Sequence, residues 1–293
     1  MDRTQGIVAA AGFRTAGVAA GIKASGALDL TLLVNDGPAR AAAGVFTRNV
    51  VKAAPVLWSQ QVLATGRVTA VVLNSGGANA CTGPEGFQDT HATAEHVAEV
   101  LGIGAVEVAV CSTGLIGERL PMDAVLSGVD AAASALGATA RHGVAAAMAV
   151  MTTDSVPKQA AVHADGWSVG GFAKGAGMCA PNMATMLSVI TTDAVVDEPD
   201  AALRAAVQQT FNRLDVDGGT STNDTVLLLS SGASGVRPEP EAFAAALTEL
   251  CADLVAQLQA DAEGATKHVA ITVTGAPTGA AAEAAARAVA RDN

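Results

Sequence analysis

Residues 173–187 read AKGAGMCAPNMATML, and this is the most informative segment of the chain. Its glycines at 175 and 177 permit backbone angles that other residues avoid. Lys174 lies among apolar neighbours, and Thr185 opens an apolar run that is typical of a buried strand. From spacing alone, the segment also suits an ordinary glycine-rich hairpin loop whose lysine extends to solvent.

Two segments outside this one also concentrate reactive groups. Ser112-Thr113-Gly114 follows a predicted strand, and a turn there would present a hydroxyl and backbone N–H groups to an oxyanion. A plain turn between a strand and a helix is the alternative. Asp261-Ala-Glu263-Gly264 is an acidic cluster before another apolar run, and a solvated turn would explain it equally well.

The apolar patterning predicts a mixture of strands and helices. Short apolar runs bounded by Gly, Asn or Asp predict strands over 30–35, 42–47, 68–74, 106–111, 185–191, 225–230 and 268–274. Longer amphipathic stretches predict helices over 87–101, 121–135, 139–150, 198–213, 239–260 and 279–291. We therefore expect an α+β protein.

Composition excludes several classes of function. The chain has 293 residues, of which 50% are hydrophobic and 15% charged, so it is not intrinsically disordered. Aromatic residues make up only 3%, which argues against a carbohydrate groove or a base-stacking platform. A formal charge of −11 would repel nucleic acids.

Cysteine and histidine usage predicts no metal site. The four cysteines are far apart, and the five histidines form no ligand spacing with them: Cys81, Cys111, Cys179 and Cys251; His91, His96, His142, His163 and His268. The cysteines are best interpreted as small buried hydrophobes in a reducing cytoplasm. We see no signal peptide or membrane span in the sequence, so we expect no membrane partner.

Two weaker motifs point elsewhere. Ser155-Val-Pro-Lys158 fits the S-x-x-K pair of penicillin-recognising enzymes, but no K-T-G follows it. The segment after Asp215 hints at a calcium loop, but Val226 stands where the loop needs a bidentate glutamate. We reject both interpretations.

Taken together, the segments resemble the bifunctional ornithine acetyltransferase family of arginine biosynthesis from about residue 6 to the end of the chain. The matching motifs are Gly21-Ile-Lys-Ala-Ser-Gly26, Val45-Phe-Thr-Arg-Asn49, Asn74-Ser-Gly-Gly-Ala-Asn79, Ser112-Thr-Gly114, Met151-Thr-Thr-Asp154, Lys174-Gly-Ala-Gly-Met, Pro181-Asn-Met-Ala-Thr185-Met-Leu, Ser221-Thr-Asn-Asp-Thr225 and Asp261-Ala-Glu-Gly264. Several motifs in the right order make a chance match very improbable.

The resemblance implies an N-terminal-nucleophile-like enzyme with the layered αββα architecture shared with the β-aminopeptidases. Its precursor cuts itself between Ala184 and Thr185, which yields an alpha chain of residues 1–184 and a beta chain of residues 185–293. Thr185 then takes an acetyl group from N-acetylornithine and passes it to glutamate. Some members of the family also accept acetyl-CoA.

The same resemblance implies roles for individual residues. Thr113 and Gly114 would form the oxyanion hole, and Thr152, Lys174 and Glu263 would join Thr185 in binding the substrate. No metal or tightly bound organic cofactor is implied. The expected assembly is a cytoplasmic heterotetramer of two alpha and two beta chains.

The chemistry of threonine agrees with this interpretation. A threonine hydroxyl needs a base to become a nucleophile. A free α-amine has a pKa of roughly 7.7–8, so cleavage before Thr185 would supply that base beside its own hydroxyl. Activity then needs no histidine, and none lies in these motifs.

Family chains continue past the position of Asn293, with segments that complete the substrate site. From this we expect a shortened beta chain that transfers acetyl poorly and favours hydrolysis. Two alternatives remain open: a related self-cleaving aminopeptidase or amidase, and an inactive truncated homologue. The related peptidases use serine as nucleophile, and Thr185 argues against them.

Overall fold

A computed structural model describes residues 1–178 and 186–292. Two β-sheets organise these residues. The strands are β1 (Phe13–Val18), β2 (Leu30–Asn35), β3 (Ala41–Phe46), β4 (Ala70–Gly77), β5 (Val108–Leu115), β6 (Lys158–Ala164), β7 (Trp167–Lys174), β8 (Leu187–Thr192) and β9 (Thr225–Ser230).

Each sheet is mostly antiparallel and contains one parallel pair. The first sheet has the order β1-β2-β4-β5, and β4 and β5 run parallel. The second has the order β3-β9-β8-β7-β6, and β8 and β9 run parallel. Consecutive strands β7 and β8 are antiparallel neighbours in the second sheet.

Most of the helices pack against the two sheets. They are α1 (Ala54–Leu63), α2 (Gly83–Leu101), α3 (Met122–Ser134), α4 (Ala140–Ala149), α5 (Pro199–Gln209), α6 (Pro240–Ala260) and α7 (Gly279–Ala290). Helices α2 and α3 pack on the first sheet, and α5 and α6 pack on the second. Among the described residues, no helix combines the length and apolarity that a bilayer crossing requires.

Strand β9 shows how the core divides into layers. Leu227 and Leu229 join a cluster that includes side chains of the first sheet, such as Leu32 and Val71. Val226 and Leu228 point the other way, into a cluster with α5 and α6. Both faces of the strand are therefore buried, and the expected order of helix, sheet, sheet and helix is present.

The structure corrects parts of the predicted pattern. Residues 268–274 form no strand, and Val269 there is 72% exposed, because no neighbouring strand pairs with the segment. Strands β1, β6 and β7 and helix α1 were absent from the prediction. Arg14, Lys158 and the Gly170-Gly171 pair interrupt the apolar pattern of those three strands, so the simple alternation is lost.

Candidate active site

Thr113 and Gly114 lie within strand β5, whereas the sequence predicted a turn after the strand. The strand continues because β4 runs parallel beside it, with Ser75 opposite Thr113 and Gly76 opposite Gly114. Gly114 has φ of 134°, and a Cβ there would lie 2.4 Å from the carbonyl carbon of Gly76. Only glycine fits at this close approach of two strands.

Lys174 connects the two sheets at this point. It is the last residue of β7, and its side chain is only 1% exposed. Its Nζ donates hydrogen bonds to Thr113 Oγ1 at 3.2 Å and to Thr152 Oγ1 at 2.9 Å. Three residues predicted for the site thus meet at one ammonium group.

A buried ionic network centred on Asp154 lies next to Lys174. Asp154 Oδ1 accepts from Lys158 Nζ and from the Gly175 backbone N–H, both at 2.6 Å. Asp154 Oδ2 lies 4.0 Å from Lys174 Nζ and accepts from the Thr152 backbone N–H at 3.0 Å. The Asp154 carboxylate therefore fixes two backbone amides, that of Gly175, which follows Lys174, and that of Thr152, whose hydroxyl accepts from Lys174.

The ionisation of Asp154 follows from these contacts. Burial alone would raise the pKa of this carboxyl, but Lys174, Lys158 and the Gly175 amide outweigh it and hold the pKa below its ordinary value. Asp154 is therefore a carboxylate at neutral pH. A buried charge of this kind is tolerated because it is paired and hydrogen-bonded.

Lys158 and Ser155 do not form a catalytic pair. Lys158 is fully buried in β6 and makes a second ion pair with Asp261 Oδ2 at 2.5 Å. Ser155 lies on no helix, and its hydroxyl and backbone N–H both donate to Asp261. The S-x-x-K motif here is part of the ionic network that anchors the end of α6.

Glu263 lies beside the turn that follows Lys174. Its backbone N–H donates to the Ala176 carbonyl at 2.7 Å, and a Cβ on Gly177 would lie 3.2 Å from Glu263 Oε2. Glu263 is exposed, and no strand follows it. The structure thus brings Glu263 to the predicted site, on the rim and not in the buried part.

The predicted cleavage site, Ala184 and Thr185, lies outside the described residues. The residues on either side are well placed: β7 ends at Lys174, and Met186 precedes β8. The Met186 backbone N–H donates to Asp224 Oδ1 at 2.9 Å. Met186, the first described residue after the predicted bond, is therefore held by a buried carboxyl group.

Asn223 is a site residue that sequence reasoning left without a role. Its Nδ2 donates to the Ser112 carbonyl at 2.8 Å and to the Ala78 carbonyl at 2.6 Å. It thereby ties the start of β9 to the strand that carries Thr113. The signal was present, because Ser221-Thr-Asn-Asp-Thr225 is polar yet directly precedes a strand.

Lys23 is a second such residue. Its Nζ donates to the carbonyls of Leu28 at 2.9 Å and Met151 at 2.7 Å. Partial burial lowers the pKa of Lys23. Because Met151 precedes Thr152, Lys23 fixes the backbone that carries one of the Lys174 partners.

Across residues 1–178 and 186–292, no three His, Cys, Asp or Glu side chains are grouped as metal ligands. The polar groups that do converge are hydroxyls, a lysine and carboxylates, which is a set suited to acyl chemistry.

Comparison with known proteins identifies the family. The profile of the ArgJ family matches residues 14–293. The arginine biosynthesis bifunctional protein ArgJ of Mycobacterium tuberculosis (strain H37Rv) is 64% identical over 300 residues, which covers 99% of this chain and 74% of that protein.

Two solved structures resemble this chain, one at high and one at low sequence identity. The ornithine acetyltransferase of Mycobacterium tuberculosis, complexed with ornithine, is 67% identical with a TM-score of 0.61, covering 61% of this chain and 96% of that one. An L-aminopeptidase D-Ala-esterase/amidase from Ochrobactrum anthropi, described as a variant of the Ntn hydrolase fold, is 11% identical with a TM-score of 0.52. It covers 90% of this chain and 89% of its own, and it shows a shared fold. The chain therefore belongs to the ArgJ family, the acetyltransferases of arginine biosynthesis.

Proposed function

We propose that the chain cuts itself between Ala184 and Thr185 and then moves an acetyl group from N-acetylornithine to glutamate through Thr185. The single observation that carries this proposal is the contact of Lys174 with Thr113 and Thr152. In this contact the buried ammonium group of Lys174 and the Thr113 hydroxyl of β5 meet at the end of β7, the strand that precedes Thr185 in the chain. The family relationship supports the same assignment.

The first half of the proposed reaction forms an acetyl-enzyme. The free α-amine of Thr185 takes the proton of the Thr185 hydroxyl, and the oxygen attacks the acetyl carbonyl carbon of N-acetylornithine. The carbonyl oxygen becomes negative and is stabilised by the Thr113 hydroxyl and the Gly114 backbone N–H. When the C–N bond breaks, the proton passes to the leaving amine and ornithine departs.

The second half regenerates the enzyme. The amine of glutamate attacks the acetyl ester of Thr185, its proton returns to the Thr185 oxygen as the ester bond breaks, and N-acetylglutamate leaves. Acetyl-CoA would serve as a second donor by the same first half-reaction. The groups used are protein side chains, backbone amides and a terminal amine.

The site chemistry suits amino-acid substrates. An ammonium group such as that of Lys174 forms strong charge-assisted hydrogen bonds with a carboxylate. Thr152 and Glu263 are both exposed, and the carboxylate of Glu263 suits an ammonium group of the substrate. We therefore assign Lys174 to the substrate carboxylate and Glu263 to an amine.

Cleavage would convert the precursor into an alpha chain of residues 1–184 and a beta chain of residues 185–293. We propose that two such pairs form a heterotetramer in the cytoplasm. The family relationship supports this assembly and location, and cross-linking or light scattering of the processed protein measures the number of chains.

The test of the proposed function is Thr185→Ala. We expect intact-mass analysis to show two fragments for the unsubstituted protein and one uncut, inactive chain for the variant. Thr185→Ser is the matched control, since it keeps a hydroxyl and should still be cut. Cleavage of Thr185→Ala at the same bond would show that a protease is responsible.

Assays with and without glutamate separate transfer from hydrolysis. Ornithine release that depends on glutamate and matches N-acetylglutamate formation supports the acetyltransferase. Equal ornithine release in both assays would favour an amidase, whose fold is shared with the Ochrobactrum anthropi protein.

A further inference from the structure

Asn223 connects the two sheets at the end where the candidate site lies. It is 5% exposed and lies just before β9 of the second sheet. Its Nδ2 donates to the Ser112 carbonyl of β5 at 2.8 Å and to the Ala78 carbonyl, which directly follows β4, at 2.6 Å. One buried amide therefore binds two neighbouring strands of the first sheet.

The orientation of the Asn223 amide is set by its partners. Thr222 Oγ1 donates to Asn223 Oδ1 at 2.6 Å, whereas the two carbonyls at Nδ2 can only accept. The backbone is held as well, since the Asn223 N–H donates to Ser221 Oγ and the Asn223 carbonyl accepts from Thr225 Oγ1, both at 3.0 Å. A buried polar network that is satisfied in this way favours a single geometry.

The bond to Ser112 acts on the main chain that carries Thr113. The Ser112 carbonyl belongs to the peptide unit between Ser112 and Thr113, so Asn223 restrains that peptide directly. Lys174, at the end of β7 in the second sheet, bonds the Thr113 hydroxyl at 3.2 Å. Thr113 is thus held twice, through its side chain by Lys174 and through its backbone by Asn223.

The bond to Ala78 lies next to the close approach of β4 and β5. Gly76 is opposite Gly114 in these parallel strands. Ala78 comes shortly after Gly76 on one strand, and Ser112 comes shortly before Gly114 on the other. Asn223 therefore joins the two strands beside the predicted oxyanion hole and restrains where the Gly114 backbone lies.

The residue after Asn223 extends this connection to β8. Asp224 Oδ1 accepts the Met186 backbone N–H at 2.9 Å, and the Thr225 N–H donates to the Met186 carbonyl at 3.1 Å. Met186 immediately precedes β8. Because Asn223 and Asp224 are consecutive, one short stretch of main chain fixes β5 relative to the start of β8.

On the basis of the function proposed above, we infer that Asn223 is a positioning residue for the oxyanion hole. It holds the Ser112–Thr113 peptide and the end of β4 so that Thr113 and Gly114 face the developing oxyanion together. It acts through these two residues and takes no part in bond making or breaking.

Asn35 provides a matched control at the opposite end of β9. It is fully buried, and its Nδ2 donates to the Ser230 carbonyl at 3.1 Å, which joins β2 of the first sheet to the last residue of β9. Asn35→Ala and Asn223→Ala each remove a buried amide that connects the sheets. Only Asn223→Ala releases the strand that carries Thr113, so a purely structural role predicts similar activity in the two variants.

We expect Asn223→Ala to lower kcat on the order of 10²-fold with a smaller change in KM, because a displaced transition-state donor costs mainly rate. Asn35→Ala should lower the midpoint of thermal unfolding and keep the kcat of glutamate-dependent ornithine release. Equal losses of kcat in the two variants, or an unchanged kcat in Asn223→Ala, would overturn the inference.

A double variant separates positioning from an independent effect. If Asn223 acts through the oxyanion hole, adding Asn223→Ala to Thr113→Ala should lower kcat by less than about 10-fold more, because residues that act as a unit are not additive. A further loss of about 10²-fold would show that Asn223 acts elsewhere. Full kcat in Thr113→Ala alone would contradict the proposed role of Thr113, and the inference with it.

Circular dichroism and intact mass show whether each variant is folded and cut. Asn223→Ser keeps one hydroxyl donor and replaces Asn223→Ala in both comparisons if the alanine variant does not fold or cut itself. If the serine variant also fails at either step, Asn223 serves folding or processing and the inference is wrong. Failure of the proposed function is distinguishable, because the unsubstituted protein would then remain uncut or make no N-acetylglutamate.

Discussion

The Thr113 hydroxyl shows how one residue can serve two partners. Its oxygen accepts a hydrogen bond from Lys174 Nζ, so its own hydrogen remains available to another acceptor. The lysine also polarises the hydroxyl and makes it a stronger donor. An oxyanion that develops next to Thr113 would therefore meet a donor oriented in advance.

We predict that Thr113→Ala lowers kcat on the order of 10²-fold with a smaller effect on KM, because an oxyanion donor acts mainly in the transition state. Thr113→Ser keeps the hydroxyl and should retain most of the activity. Steady-state kinetics of ornithine release measures both variants. A change confined to KM would move Thr113 to ground-state binding of the substrate.

Among the elements, β6 and α6 are joined by charge as well as by apolar packing. Asp154 lies before β6, Lys158 begins it, and Asp261 follows the last residue of α6. Lys158 binds both carboxylates from a fully buried position. Removing one partner of a buried ion pair leaves a charge poorly compensated, which costs more than the intact pair contributes.

We predict that Asp154→Asn lowers the free energy of unfolding by roughly 3–5 kcal/mol, toward the lower end because Asp261 still pairs with Lys158. Asp200→Asn breaks an exposed pair with Arg204 and should cost at most about 1 kcal/mol. Urea unfolding measures both changes. Both substitutions are made in the uncut Thr185→Ala chain, because each unfolding transition then belongs to a single polypeptide.

The same network predicts how stability depends on pH. Despite burial, Lys174 and Lys158 lower the pKa of Asp154 in the folded protein, and hydrogen bonds from Lys158 and Ser155 lower the pKa of Asp261. Their contribution is therefore present above the unfolded pKa and is lost as pH falls through the folded value. Asp154→Asn should accordingly flatten the acid side of the stability profile, whereas Asp200→Asn should leave it nearly unchanged.

At the scale of the whole molecule, strand pairing crosses the proposed cut. Strand β7 precedes the bond and β8 follows it, and the two pair over six residue positions from Val169–Thr192 to Lys174–Leu187. Strand β3 likewise pairs with β9 over six positions. Each fragment would thus contribute strands to the middle of one sheet, and the two share its core.

We therefore predict that the fragments 1–184 and 185–293 stay together after cleavage. They should co-elute in size-exclusion chromatography without denaturant and separate only on a denaturing gel. The uncut Thr185→Ala chain provides the reference elution volume for the intact fold. Separation of the fragments in native buffer would contradict the continuous sheet.

Much of this architecture was readable from local sequence. Strands β2 and β9 were predicted with the observed bounds, and helices α2 to α6 within a few residues of theirs, because apolar periodicity and turn residues act over short distances. The residues assigned by family resemblance also converge, since Thr113, Thr152 and Lys174 share hydrogen bonds. Their catalytic roles stay predictions until the variants are measured.

The sequence by itself determined the mixed α and β content, the family and the segment that holds Thr185, because each is encoded in contiguous residues. Only the tertiary structure decided that Lys158 pairs with Asp261 and that Asn223 anchors Ser112, contacts between residues more than a hundred positions apart. It also showed that residues 268–274 pair with no strand. The physical reason is that sheet order and burial bring distant residues together, and no local pattern specifies which carboxylate a buried lysine will meet.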